Sequence, residues 1–214
     1  MRRDARPDPA AFIRANLRVA SPRALPEIRL YLAHSGSRLS RLAGADPDEP
    51  PYWAYCWAGG AVLARHLLDH PETVARQRIL DLGAGCGVVA IATAKAGASE
   101  VVAMDIDPNA VAAVALNAAL NDVAVAAHAC DPLDGPPPDA DMILVGDLFY
   151  EPALAARATA FLGRCVEAGK TALIGDPGRA HLPRARLVPL SRYPAPDVGD
   201  APGEAKAGAV YRFR

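Results

Sequence analysis

The segment VGDLFYE, residues 145–151, sets an acid and a tyrosine three residues apart directly after a hydrophobic run, Met142–Val145. A short apolar run of that kind reads as a buried strand. Asp147 and Tyr150 then stand at the strand's mouth. There they can receive a cation, the carboxylate by charge and the ring by its π face. A second group lies upstream. ILDLGAGCG, residues 79–87, runs from an apolar stretch into Gly83, Gly85 and Gly87. Such glycines allow a tight turn and close approach of a ligand to the backbone. A dinucleotide fingerprint needs its third glycine one position later, where Val88 stands. Asp81, two residues before the first glycine, repels a pyrophosphate and suits a ligand that presents an ammonium group. The next apolar run, VVAMDID, ends in Asp105, an acid placed to accept from both hydroxyls of a ribose. Asp107, before Pro108, reads as a helix N-cap. In HACDPLDG, Asp131 can accept from an exocyclic amine and the Cys130 amide can donate to a ring nitrogen.

Ammonium, sulfonium, carboxylate and adenosine together describe S-adenosylmethionine, whose carboxylate can use the amides at a helix start. Blander readings stand beside each motif. The glycines can form a plain turn, Asp105 and Asp107 can both cap a helix, and HACDPLDG can be a polar Asp-Pro turn. Asp147 can be a cap beside a packed Tyr150. Glu151, before Pro152, reads as first-turn helix charge. His128 falls inside a strand pattern, and His34, His66, His70 and His181 have no ligand spacing with cysteines or acids, so no metal site is expected.

The elements that must position these groups follow a regular order. Residues 1–50 have a texture of their own, with helical spacing in PAAFIRANLRVA and in SPRALPEIRLYLAH, where Ser21 and Pro22 suit a cap and first turn. AGADPDEPP is a loop, and a third helix is expected from Tyr52 to His70, stopped by Pro71. Trp53 and Trp57, four apart, would share one face of it. Gly59 and Gly60 in the same helix cost about 1 kcal/mol each against alanine, which implies that something approaches the backbone. Strands at RILDL, EVVAMDI, VAVAAHA, ADMILVGD and KTALIGD then alternate with helices, and RARLVPLSRY and GAVYRFR close the chain. That rhythm predicts an α/β fold, a parallel sheet covered by helices with a final antiparallel hairpin.

The 214 residues are 51% hydrophobic with a formal net charge of −1. No lysine-rich run suggests a nucleic-acid surface. No charge-free stretch of about eighteen apolar residues suggests a membrane span. The start, MRRDARPDPAAF, does not read as a secretory signal. Cys56, Cys86, Cys130 and Cys165 are scattered without a CxxC and read as reduced thiols of a cytoplasmic protein.

LDLGAGCG, MDIDP and a strand ending in D-x-x-Y together resemble the class I, seven-β-strand, S-adenosylmethionine-dependent methyltransferases. PPYWAYCWAGGAVLARHLLD, GDLFYE and IGDPGR resemble one branch, the electron-transfer flavoprotein β-subunit lysine methyltransferases. The resemblance covers roughly residues 50–180. It implies a Rossmann-like, doubly wound, mostly parallel seven-stranded sheet over residues 51–214, with residues 1–50 as an amino-terminal helical extension. It implies S-adenosylmethionine as cofactor, held by Trp57, Asp81, Gly83, Gly85, Gly87, Asp105, Asp131 and Asp147, with Asp147 and Tyr150 as catalytic residues. A protein substrate, the flavoprotein β subunit, is implied as partner. A small-molecule N-methyltransferase, a nucleotide-binding module and a non-catalytic scaffold are the alternatives. The D-P-G-R loop, Asp176–Arg179, is placed near the substrate entrance without a physical account of its residues.

Overall fold

The computed structural model describes residues 8–42, 51–195 and 206–214. The basic start, Met1–Pro7, and the loop read at 43–50 lie outside the described residues. In chain order come α1 (Pro9–Asn16), β1 (Arg18–Ala20), β2 (Leu30–Leu32), α2 (Ala58–Asp69), β3 (Arg78–Leu82), α3 (Val88–Lys95), β4 (Glu100–Asp105), α4 (Pro108–Leu120), β5 (Ala126–Ala129), β6 (Met142–Gly146), α5 (Pro152–Glu167), β7 (Thr171–Asp176), β8 (Leu187–Pro194) and β9 (Ala207–Phe213).

β3 to β9 form one seven-stranded sheet in the order β5-β4-β3-β6-β7-β9-β8. β5, β4, β3, β6 and β7 run parallel, and β9 pairs antiparallel with both β7 and β8. The expected Rossmann-like sheet with its terminal hairpin is thus present. Alternation along the strands feeds two cores. Ile79, Met142, Leu144 and Leu173 face α2 and α3 on one side. Leu80, Ile143, Val145, Ala172 and Ile174 face Phe161 and Leu162 of α5 on the other. Each such buried side chain stabilises by about 1.5–3 kcal/mol.

Helix starts are set by local chemistry. Asp107 Oδ1 accepts from the Asn109 amide at 2.8 Å, as the expected cap of α4. Glu151 accepts from the Ala153 and Leu154 amides, so it is the cap of α5 rather than a first-turn charge.

Two expected helices are corrected. Residues 21–34 are not helical. They turn, then pair β2 with β1. The helical spacing of Leu25 and Ile28 is real, but these side chains pack into the core from turns. Pro26 sits between them, and α4 captures the backbone. Asn121 Oδ1 accepts from the Arg29 amide at 3.0 Å and Asn117 Oδ1 from the Tyr31 amide at 2.7 Å. The third helix does not start at Tyr52. Tyr52–Ala54 is a 3-10 turn, the chain is extended at Tyr55 and Trp57, and α2 begins at Ala58. Trp53 and Trp57 therefore do not share a helical face. Trp53 is buried with Phe12, Ile13 and Leu17 of the amino-terminal segment, while Trp57 stands before α2.

What approaches Gly59 and Gly60 is the sheet itself. A Cβ on Gly59 would lie 2.4 Å from the Gly175 carbonyl oxygen, and one on Gly146 2.8 Å from the Gly60 Cα. The backbone of α2 rests directly on the ends of β6 and β7, which sets the first turn of α2 over Asp147.

Candidate cofactor and amine site

β3 sends its helix α3 toward β4, while β6 lies on its other side, so β3 and β6 flank the topological switch point. In open α/β sheets ligands bind outside the carboxyl ends of the strands at such a point. A cavity of about 520 Å³ lies there. Its walls include Trp57, Gly83, Gly85, Asp105, Asp131, Asp147, Tyr150 and Arg179. The sequence-selected residues thus come together from the ends of four strands. Asp81 and Gly87 lie beneath the wall rather than on it.

Gly83 (φ 68°), Gly85 (φ 52°) and Gly87 (φ 79°) all adopt the left-handed region that favours glycine. Asp81 is buried and its carboxylate accepts from the Ala90 amide at 3.0 Å, pinning the first turn of α3. Burial pushes its carboxyl up to about 7, opposed by the Ala90 amide. Asp105 Oδ2 accepts from the Gly85 amide at 2.8 Å and Oδ1 from the Asp107 amide at 3.0 Å. Burial also raises the Asp105 carboxyl, against those bonds. One acid therefore ties the glycine turn to the end of β4 and still faces the cavity.

Asp131 bonds the Leu133 amide at 3.0 Å and pairs with Arg157 at 2.9 Å. The Cys130 amide is not free to serve a ring nitrogen, as expected, because it donates to the Asp105 carbonyl at 2.9 Å. Parallel pairing of β5 with β4 uses that donor.

Asp147 ends β6 in the left-handed region, at φ 61°. A non-glycine residue there is strained by about 1–3 kcal/mol, and such strain clusters at functional sites. Its side chain does not cap α5. Oδ2 accepts from the Gly59 amide at 2.8 Å, at the positive end of α2, and Oδ1 accepts from Arg179 Nε at 2.6 Å. The D-P-G-R loop now has a physical account. Asp176 Oδ1 accepts from the Gly178 and Arg179 amides at 2.6 and 2.7 Å, closing a turn that needs Gly178 at φ 100°. That turn aims Arg179 at Asp147. Tyr150 is 44% exposed, and its ring centroid lies 5.2 Å from that of Tyr52, which lies 5.7 Å from Trp57. Three aromatic rings thus line the same cavity as the paired carboxylate.

Sequence reasoning missed Tyr52, Leu148 and Asn117. Leu148 would meet a Cβ on Gly83 at 2.9 Å, so it closes against the turn. Asn117 is buried and donates to the Cys86 carbonyl at 2.8 Å, tying the glycine turn to α4 and β2. A buried helical asparagine carries no local signal of this contact. Among the described residues no group of three His, Cys, Asp or Glu could hold a metal ion.

A family model described as ribosomal protein L11 methyltransferase matches residues 63–148. The chain is 44% identical over 174 residues to the electron transfer flavoprotein beta subunit lysine methyltransferase of Danio rerio, covering 78% of this chain and 67% of that protein. It is 38% identical over 198 residues to the protein of the same name in Rattus norvegicus, covering 87% and 76%. The chain belongs to the electron transfer flavoprotein beta subunit lysine methyltransferase family. It is an S-adenosylmethionine-dependent methyltransferase. The fold of this family member is shared more widely. The Pyrococcus abyssi tRNA (uracil-54, C5)-methyltransferase, solved with S-adenosyl-L-homocysteine, superposes with a TM-score of 0.52 at 16% identity, over 72% of this chain and 38% of that one.

Proposed function

We propose that the protein methylates lysine side chains of the electron transfer flavoprotein beta subunit, with Asp147 and Tyr150 receiving the target nitrogen. The observation that carries this reading is the Asp147 carboxylate, held between the start of α2 and Arg179 in the cavity that Tyr52, Trp57 and Tyr150 also line. The family membership supports the substrate.

The cofactor fits the other half of the cavity. The left-handed glycine turn leaves room for close backbone approach at Gly83 and Gly85. Asp105 keeps lone pairs for a ribose, because a carboxylate offers about four acceptor sites and two are taken. Asp131 is in reach of the same wall as an acceptor for an adenine amine. Asp81 pins the first turn of α3 beneath the glycine turn through the Ala90 amide, and Gly87 starts α3. Trp57 covers the cavity from the side of α2. When bound, S-adenosylmethionine supplies an electrophilic methyl group on a sulfonium, whose carbon–sulfur bond breaks as the substrate nitrogen forms a carbon–nitrogen bond.

The chain's own residues then need only position an amine. Lysine nitrogen attacks as the neutral amine, and its ammonium has a pKa of about 10.4 in water, so a proton must leave to solvent first. The spare lone pairs of Asp147 accept from the amine N–H groups and aim its lone pair. The rings of Tyr150 and Tyr52 wall the alkyl stem. Alignment of this kind supplies much of the rate without a covalent intermediate. The rim is open, with Tyr52 39% and Tyr150 44% exposed, which suits a side chain carried by a protein. Among the described residues no helix is long and apolar enough to cross a membrane, and all four cysteines are free thiols. The thiols support a reducing compartment such as the cytoplasm.

The test is incubation with labelled S-adenosylmethionine and a cell lysate, read by mass spectrometry. Label on lysine of the flavoprotein subunit supports the reading. Label confined to the small-molecule fraction replaces it with a small-molecule N-methyltransferase.

A further inference from the structure

The carboxylate placed to receive the amine already has a cation. Arg179 Nε lies 2.6 Å from Asp147 Oδ1, with 5% of the Asp147 side chain and 27% of the Arg179 side chain accessible. The loop is built for this contact. Asp176 is 1% exposed, spends Oδ1 on the Gly178 and Arg179 amides, and has no partner for Oδ2 among the described residues. A buried acid is thus committed to holding one arginine over another acid.

The surroundings of Asp147 are otherwise acidic or neutral. From the end of β7 comes Asp176, whose carboxyl burial raises, with the charge of Asp147 adding to the rise. From the segment before α2 comes the Cys56 thiol, raised by its bond to Cys86 and by burial, with a smaller push from Asp147. Tyr150 and Glu151 follow on the same loop. Glu151 is bonded to α5 amides and faces His181. Across the cavity stand Asp105, Asp107 and the Asp131–Arg157 pair. Without Arg179, only the Gly59 amide at the start of α2 would offset the negative charge that an arriving lysine meets.

That matters because methyl transfer needs the free amine. A nearby carboxylate stabilises an ammonium and raises its pKa, and a cation beside that carboxylate cancels the effect. We propose that Arg179 neutralises the amine pocket, so that the target nitrogen is held by Asp147 as a free amine rather than trapped as an ammonium. Arg179 is then a positioning residue that acts through Asp147. This rests on the lysine reading above, and it adds a selectivity for neutral over cationic nitrogen.

The experiment uses the full chain loaded with S-adenosylhomocysteine and tetramethylammonium as the probe cation. Calorimetry on Arg179→Gln, or on Arg179→Ala where that variant folds better, should show tetramethylammonium binding at least about tenfold tighter than wild type. The gain should vanish in the double variant with Asp147→Asn. In turnover with a lysine substrate at saturation, the acid limb of the kcat profile, which reports the bound amine, should move up by about one pH unit or more, and Arg179→Lys should return it. Unchanged cation affinity in a variant that still binds S-adenosylhomocysteine overturns the proposal. So does a uniform loss of kcat with no shift of the limb. If wild type methylates no lysine while the Asp147-dependent gain in cation binding appears, the neutralising role stands and the lysine reading falls.

Discussion

The Gly59 amide in the first turn of α2 donates to Asp147 Oδ2 at 2.8 Å, across 88 residues of chain. The bond locks the first turn of α2 to the end of β6 and fixes one oxygen of the carboxylate, leaving the other for Arg179. Asp147→Asn keeps one acceptor for Gly59 but presents an amide N–H toward Arg179. The substrate nitrogen then loses its charged acceptor. Methyl transfer should fall by about a hundredfold or more, the scale of a misplaced reactant, while affinity for S-adenosylhomocysteine changes little. Single-turnover methylation beside calorimetry checks both halves. Equal losses of binding and rate would put Asp147 in the cofactor half of the cavity.

Gly59 itself has no room for a methyl group. A Cβ there would lie 2.4 Å from the Gly175 oxygen and 2.7 Å from the Asp147 nitrogen, both backbone atoms that cannot swing aside. Gly59→Ala should destabilise the fold by about 1–3 kcal/mol or more through overpacking, and should lift α2 from Asp147. Urea unfolding reads the stability. A variant as stable as wild type would contradict the close docking of α2 on β6 and β7.

If Asp105 holds the ribose as proposed, it has two tasks, and its removal should show two effects. Asp105→Ala frees the Gly85 and Asp107 amides as well as any ribose contact. S-adenosylhomocysteine affinity should weaken by about 1–3 kcal/mol, the range of lost charge-assisted hydrogen bonds. Calorimetry at matched salt measures it, and unaltered affinity would remove Asp105 from the site.

Asp81 makes stability depend on pH in a direction opposite to that of most acids. Its carboxyl is pushed up to about 7 by burial, against about 3.9 in an unfolded chain. Between those values the native state holds a proton that the unfolded chain has released. The contribution is therefore fully present below the unfolded value and is lost as pH rises through about 7. At about 1.4 kcal/mol per unit the window spans on the order of 4 kcal/mol. Asp81→Asn keeps the acceptor for Ala90 and cannot ionise. In urea unfolding without cofactor, wild type should lose stability relative to this variant between pH 5 and pH 8. Parallel curves would show that Asp81 is not titrating there.

The parallel sheet and its acids were legible because their signals are local. Pro108 and Pro152 start helices, Gly97 follows one, and apolar runs end in Asp105 and Asp147. What stayed hidden are contacts between distant segments. Helical spacing at Leu25 and Ile28 was overridden by Asn117 and Asn121, whose amides bond backbone some 86 to 92 residues away. Gly59 and Gly60 announced a close approach, yet only the fold identified the sheet as what approaches. The D-P-G-R loop was visible as a motif. Its purpose depends on Arg179 meeting Asp147 across 32 residues, a contact that no local spacing encodes.

The central claim is tested most directly with purified electron transfer flavoprotein beta subunit, S-adenosylmethionine and this protein, read by peptide mass spectrometry. The account predicts methyl groups on lysine with wild type and a rate reduced by about a hundredfold or more with Asp147→Asn at saturating cofactor. An unmodified subunit under conditions where the protein binds S-adenosylhomocysteine, or equal methylation by Asp147→Asn, would contradict it.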